Sequence, residues 1–126
     1  MAVQKQDGLH TDVAEGAVDL TGKEYRFCSR DNTGKLVVTG NGLRADGIIS
    51  EGKPAGKRSS FNTEGNPILR VIAGGVINPN ARVQSDANGA AVAGLNNSFG
   101  VYRGKAASAN GQVISIHPER FDADGA

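Results

Sequence analysis

Residues 74–94 read Gly74-Gly75-Val76-Ile77-Asn78-Pro79-Asn80-Ala81-Arg82-Val83-Gln84-Ser85-Asp86-Ala87-Asn88-Gly89-Ala90-Ala91-Val92-Ala93-Gly94, a turn, a short strand, a tight hairpin and a second short strand. Asn78-Pro79-Asn80 signals the turn, because proline presets φ and asparagine tolerates the left-handed region. Val83 alternates with polar Arg82 and Gln84, as a half-buried strand requires. Asn88-Gly89 supplies two residues suited to positive φ, which predicts a type I′ hairpin turn. Ala90 to Ala93 returns with small side chains and Gly94 ends the strand. The stretch carries no catalytic pattern. It is scaffold.

Working outward, the whole chain repeats that style. It has 126 residues, 18 glycines, one methionine, four phenylalanines and no tryptophan, which points to short strands joined by tight turns in one domain. The formal net charge of +1 argues against a broad basic face for nucleic acid. One cysteine, Cys28, excludes an internal disulfide framework and a multi-cysteine zinc site. No apolar run reaches the roughly 20 residues that span a bilayer. The polar start, Met1 to Gly8, lacks the apolar core of a signal peptide, so synthesis in the cytosol without export is expected.

Residues 1–16 show little periodicity and are expected to be an N-terminal arm that orders against a partner. Residues 17–118 are expected to be the β domain, with its first ordered segment at Ala17-Val18-Asp19-Leu20. Tyr25 and Phe27 should share one strand face, with Arg26 and Cys28 on the other. Asp31-Asn32-Thr33-Gly34 turns the chain into Leu36-Val37-Val38, a β-branched return strand. Ser50 to Asn66 is the longest polar stretch, expected as an exposed loop or a poorly paired edge. Ile68 to Ala73 is the most apolar strand and the expected centre of the core. Two strands follow around Ser108-Ala109-Asn110-Gly111, and the acidic tail, 119–126, should lie on the surface or fray. Helix signals are poor throughout, so the expected fold is all-β: a small β-sandwich or β-barrel.

A weak internal repeat supports that class. Residues 27–40 resemble residues 83–94: an apolar residue, serine two positions on, then Asp, Asn and Gly, a short strand and a glycine. Either the chain is a pseudo-duplicated sandwich or barrel, or two hairpins in a glycine-rich protein converge on one plan.

Three patterns could carry chemistry, and each has a plainer reading. Gly40-Asn41-Gly42-Leu43-Arg44-Ala45 fits the loose dinucleotide fingerprint, but Asp46-Gly47 interrupts before a helix can start. Asp86-Ala87-Asn88-Gly89 begins like a calcium loop yet lacks a third oxygen ligand and the closing glutamate. His10 and His117 have no local partner signature for nucleophilic catalysis, and Cys28 reads as a small strand residue. Catalytic, metal and cofactor sites are therefore expected to be absent, and the chain is read as not an enzyme.

Three segments together resemble the capsid cement (head decoration) proteins of tailed bacteriophages. They are Ala73 to Ile77, then Ala81 to Val92 with its Val-x-Ser-Asp-Ala-x-Gly core, then Gly104 to Ile114. Tyr25 to Gly40 and Asp46 to Ile49 are similar to the family's first half. The resemblance implies a β-rich protein on the outer surface of a phage head, self-associated as a homotrimer and clamping neighbouring major capsid protein subunits. It implies no direct nucleic-acid or membrane partner, no catalytic residues, and a virion location after synthesis in the host cytoplasm. Physical inference assigns capsid or subunit contacts to Val3, Gln4, Lys5, Leu9 and His10 in the arm, and to Lys53, Lys57, Arg58 and Phe61. Cement needs a stiff scaffold, exposed loops or arms and near-neutral charge, and many copies convert modest contacts into avidity. The competing readings are another virion β module, such as a tail or baseplate adaptor, and a small ligand-binding β-barrel. The second is disfavoured by the scarcity of aromatic residues for a binding platform.

Overall fold

The computed structural model describes residues 10–121. Among them are ten strands: β1 (Thr11–Glu15), β2 (Phe27–Arg30), β3 (Leu36–Val38), β4 (Gly47–Glu51), β5 (Arg58–Thr63), β6 (Leu69–Ile72), β7 (Arg82–Ser85), β8 (Ala91–Ala93), β9 (Ser98–Tyr102) and β10 (Val113–Phe121). They make two five-stranded antiparallel sheets, ordered β1-β5-β4-β2-β3 and β6-β10-β9-β7-β8. The sheets form a β-sandwich, and no helix occurs among the described residues.

The second order repeats the first, strand for strand. The repetition extends to register. Glu15 pairs with Arg58 as Ile72 pairs with Val113, and Phe27 pairs with Ile48 as Arg82 pairs with Val101. Each half also closes on itself in the same way: parallel bridges Gly16–Leu36 and Ala73–Ala91 bring its two outer strands together. The turns match as well. Asp31 and Asp86 each accept main-chain N–H groups through their carboxylates, from Thr33 and Lys35 and from Asn88 and Ala90 respectively. Gly34 and Gly89 follow at φ 85° and 78°, each donating its N–H to the aspartate carbonyl. This is a type I turn closed by a left-handed glycine, not the expected type I′ turn, because Asn88 keeps a negative φ.

The interior divides accordingly. One cluster holds Ala14, Leu20, Cys28, Leu36, Ile49 and Phe61. The structurally equivalent positions in the second half are Val71, Ile77, Val83, Ala91, Tyr102 and Ile116, all in the other cluster. Each large apolar side chain so buried contributes about 1.5–3 kcal/mol. The second cluster also contains Phe27, Ala45 and Ile48 from the first half with Leu69 and Phe99 from the second, and these join the halves. Phe27 and Phe99 rings lie 5.2 Å apart. Burial on both faces of β2, Phe27 toward one cluster and Cys28 toward the other, follows from this arrangement.

The junction runs one way. Ile72 N–H donates to Tyr25 O at 2.7 Å, Phe27 N–H to Gly89 O at 2.7 Å, and Arg26 Nη1 to Asn88 O at 3.0 Å. The equivalent partners, Glu15 with Asn80 and Arg82 with Gly34, are not bonded to each other. The halves therefore sit head to tail.

Several expectations change here. Residues 11–15, assigned to the arm, are strand β1, paired along its whole length with β5. The polar stretch 50–66 contains β5, which lies between β1 and β4 and buries Ser59 and Phe61. Its polar alternation hid a strand whose inward positions are small or aromatic. Residues 17–20 form a loop anchored by buried Leu20. Strand β6 is an outer strand of its sheet, yet Leu69, Val71 and the adjoining Ala73 lie in the larger core cluster, where this segment was expected. Residues 119–121, assigned to the tail, continue β10. Gln84 turns inward, where its Oε1 accepts the Asn96 N–H.

Candidate functional site

The outer strands and loops of the fold carry most of the described residues expected to make contacts. Among the expected contact residues, Lys53, Lys57 and Arg58 are exposed at the β4–β5 loop. Lys53 pairs with Glu51 at 3.2 Å, and its N–H donates to Ser59 Oγ, which fixes the loop's base. Lys57 N–H donates to Pro54 O in a turn closed by left-handed Gly56. Arg58 pairs in register with Glu15 and lines a shallow depression of about 300 Å³ with Val13, Ala14, Arg30 and Gly34. These charges therefore belong to the β1 edge and are not an isolated basic loop. Exposed ion pairs there, Arg30–Asp12 at 2.7 Å and Lys35–Glu15 at 3.7 Å, are worth about 0–1 kcal/mol each.

Phe61 does not belong to this surface. It is 2% exposed in the first core cluster, where Arg30 stacks over its ring at 5.4 Å, so a capsid or subunit cannot touch it. His10 is exposed, and its main chain is clasped by the buried Asn66, whose Oδ1 accepts His10 N–H and whose Nδ2 donates to His10 O. Val3, Gln4, Lys5 and Leu9 lie outside the described residues.

Sequence reasoning did not single out a second group of exposed apolar residues. Tyr25 sits at φ 68°, 40% exposed, beside a depression lined by Ile48, Ser50, Asn62, Ile68 and Arg70. Ile68 is exposed as well. Leu43 and Leu95 are exposed on the β3–β4 and β8–β9 loops, which touch where Asn97 Nδ2 donates to Gly42 O. No periodicity marks these residues, since each lies in a loop or at a strand end.

The chemical candidates take structural roles. Burial pushes the Cys28 thiol far above its ordinary value, with Asp46 adding to the shift, so no thiolate nucleophile is on offer. Among the described residues, no group of three or more His, Cys, Asp or Glu could hold a metal ion. Asp86 spends its Oδ1 on the turn. Gly40 to Ala45 forms a turn leading to β4, with no helix N-terminus to receive a phosphate. The arrangement can bind other macromolecules through edges and loops.

No protein-family model matches the chain, and no curated protein matches it. Among solved structures, the fold is similar to the head fiber gp8.5 N base of bacteriophage phi29. The TM-score is 0.72, the match covers 90% of this chain and 97% of that one, and the sequences are 17% identical. At that identity the similarity is one of fold.

Proposed function

We propose that the protein is a structural module of a phage head that attaches to the outside of the capsid as a decoration or cement protein. The fold similarity to a head fiber base, spanning nearly the whole of both chains, carries the reading. The sequence resemblance to capsid cement proteins supports it independently, since it rests on turn and strand segments and not on overall topology. A stiff body with two packed cores, exposed loops and a formal charge of +1 suits a protein that lies on a shell in many copies.

In this reading the major capsid protein is the partner, and copies associate with one another, as a homotrimer by the cement resemblance. Contact falls to Val3, Gln4, Lys5, Leu9 and His10, and to the exposed loop residues Lys53, Lys57 and Arg58. Co-sedimentation with phage heads that lack the protein tests the assignment. The wild type should pellet with heads and raise their resistance to heat. Deleting residues 2–9, which leaves β1 whole, should weaken pelleting, as should alanine at Lys53, Lys57 and Arg58 together. A wild-type protein that stays in the supernatant, or that pellets with tails instead of heads, overturns the reading.

A further inference from the structure

We infer that a second copy of this chain docks head to tail on the β1 edge, repeating between molecules the junction that joins the two halves within one. The duplicated fold carries this inference. It gives the self-association proposed above a surface, and capsid attachment is not a premise of it.

A one-way junction between equivalent halves uses one face of each and leaves the other face of each unmatched. The first half contributes Tyr25 O and Phe27 N–H; the second contributes Ile72 N–H and Gly89 O. The unmatched counterparts are Asn80 O and Arg82 N–H on the second half, with Glu15 N–H and Gly34 O on the first. Gly16 N–H bonds Lys57 O, so ladder alternation turns the Glu15 main chain outward, as it turns Ile72 toward Tyr25. Asn80 holds the same left-handed conformation as Tyr25, with φ 69°, so its carbonyl is presented alike. An outward strand edge beside exposed Val13 is a template for another chain.

The side chains have diverged in a complementary way. In the internal junction, Phe27 packs in one cluster with Leu69 and Phe99. The position equivalent to Phe27 is Arg82; those equivalent to Leu69 and Phe99 are Asp12 and Asp46. An apolar contact inside the chain thus corresponds to a cation facing two carboxylates between chains. The Glu119 carbonyl, the Glu119 carboxylate at 3.5 Å and the Phe121 ring hold Arg82 in place, and Arg103 Nη1 donates to Asn80 Oδ1, which sets a second cation on the same face. The opposing face carries Asp12, Asp46 and Glu15 among Arg30, Lys35 and Arg58, a balanced mix in which Asp12 and Asp46 hold the two positions that would meet Arg82.

Sedimentation velocity on the purified full chain tests the inference, with thermal melts confirming that each variant folds. The wild type should associate as concentration rises to about 100 μM. Arg82→Glu and Asp12→Arg should each weaken association by at least about tenfold, and the Arg82→Glu/Asp12→Arg double variant should recover it. A wild type that stays monomeric overturns the inference, as do single variants that associate like the wild type or a double variant no better than the singles. Head co-sedimentation of the same proteins is read separately: a monomer that still binds heads removes this interface and leaves capsid attachment standing.

Discussion

Tyr25 and Asn80 occupy the same place in the two halves of the molecule and share one left-handed backbone, φ 68° and 69°. Each donates its N–H to the next sheet strand, Tyr25 to Ile49 O at 2.9 Å and Asn80 to Tyr102 O at 2.6 Å. The fold asks these positions for a backbone shape that asparagine adopts readily and a bulky residue resists. The second half thus serves as a control for the first.

Tyr25→Asn should stabilise the protein by about 1 kcal/mol, because strain of this kind costs about 1–3 kcal/mol and asparagine relieves part of it. Urea unfolding of wild type and variant measures the change. A loss of stability would mean that the partly exposed ring contributes packing that outweighs the strain.

Gly47 and Gly100 are also equivalent, and each faces a neighbouring carbonyl, that of Asn62 or of His117, where a Cβ would collide with main-chain atoms. Backbone cannot swing aside as a side chain can. Alanine at either position should cost about 2–4 kcal/mol, in the range of other severe core disruptions. Gly75, with open space around it, is the matched control and should tolerate alanine. Thermal unfolding of the three variants separates close approach from a general intolerance of glycine replacement.

Phe61 and Ile116 fill corresponding places in the two cores, 2% and 0% exposed. Phe61→Ala should lose about 3–5 kcal/mol and Ile116→Ala about 2–5 kcal/mol, the cost of the lost side chain plus the cavity left behind. In a head-binding assay under conditions where Phe61→Ala remains folded, affinity should match wild type. A selective binding defect would return Phe61 to the contact surface.

Asp31 is held below the ordinary carboxylate value of 3.8 by the Thr33 hydroxyl first, then by the Thr33 and Lys35 N–H groups. Its folded pKa lies below its unfolded one, so between the two the unfolded chain binds more protons. Its contribution is therefore complete above the unfolded value and is lost as pH falls through the folded one. Asp31→Asn keeps an acceptor oxygen but does not titrate. Urea midpoints at about pH 6 and about pH 2.5 should differ less in Asp31→Asn than in wild type. An equal difference would place the acid sensitivity elsewhere.

Local chemistry was legible without a structure. Asp31-Asn32-Thr33-Gly34 and Asp86-Ala87-Asn88-Gly89 announce hairpins because a carboxylate and a glycine satisfy a turn from within four residues. The likeness of residues 27–40 to 83–94 left duplication and convergence both open, and it set Phe27 against Val83 where the fold sets Phe27 against Arg82, because the shared turn is legible locally and the strand register is not. The all-β class followed from glycine-rich turns and the lack of helical periodicity. What stayed hidden was pairing at a distance. Strand β1 looks like an arm because Thr11-Asp12-Val13-Ala14-Glu15 buries only Ala14, and its stability comes from β5, nearly fifty residues on. Strand β5 looks like a polar loop because Ser59 and Phe61 reveal their inward face only when β1 and β4 flank them. Tyr25 reads as a strand residue until the junction with Ile72 turns its carbonyl outward. Turns are set by neighbours in sequence, whereas which edge is filled and which left open is set by residues that meet only in the folded chain.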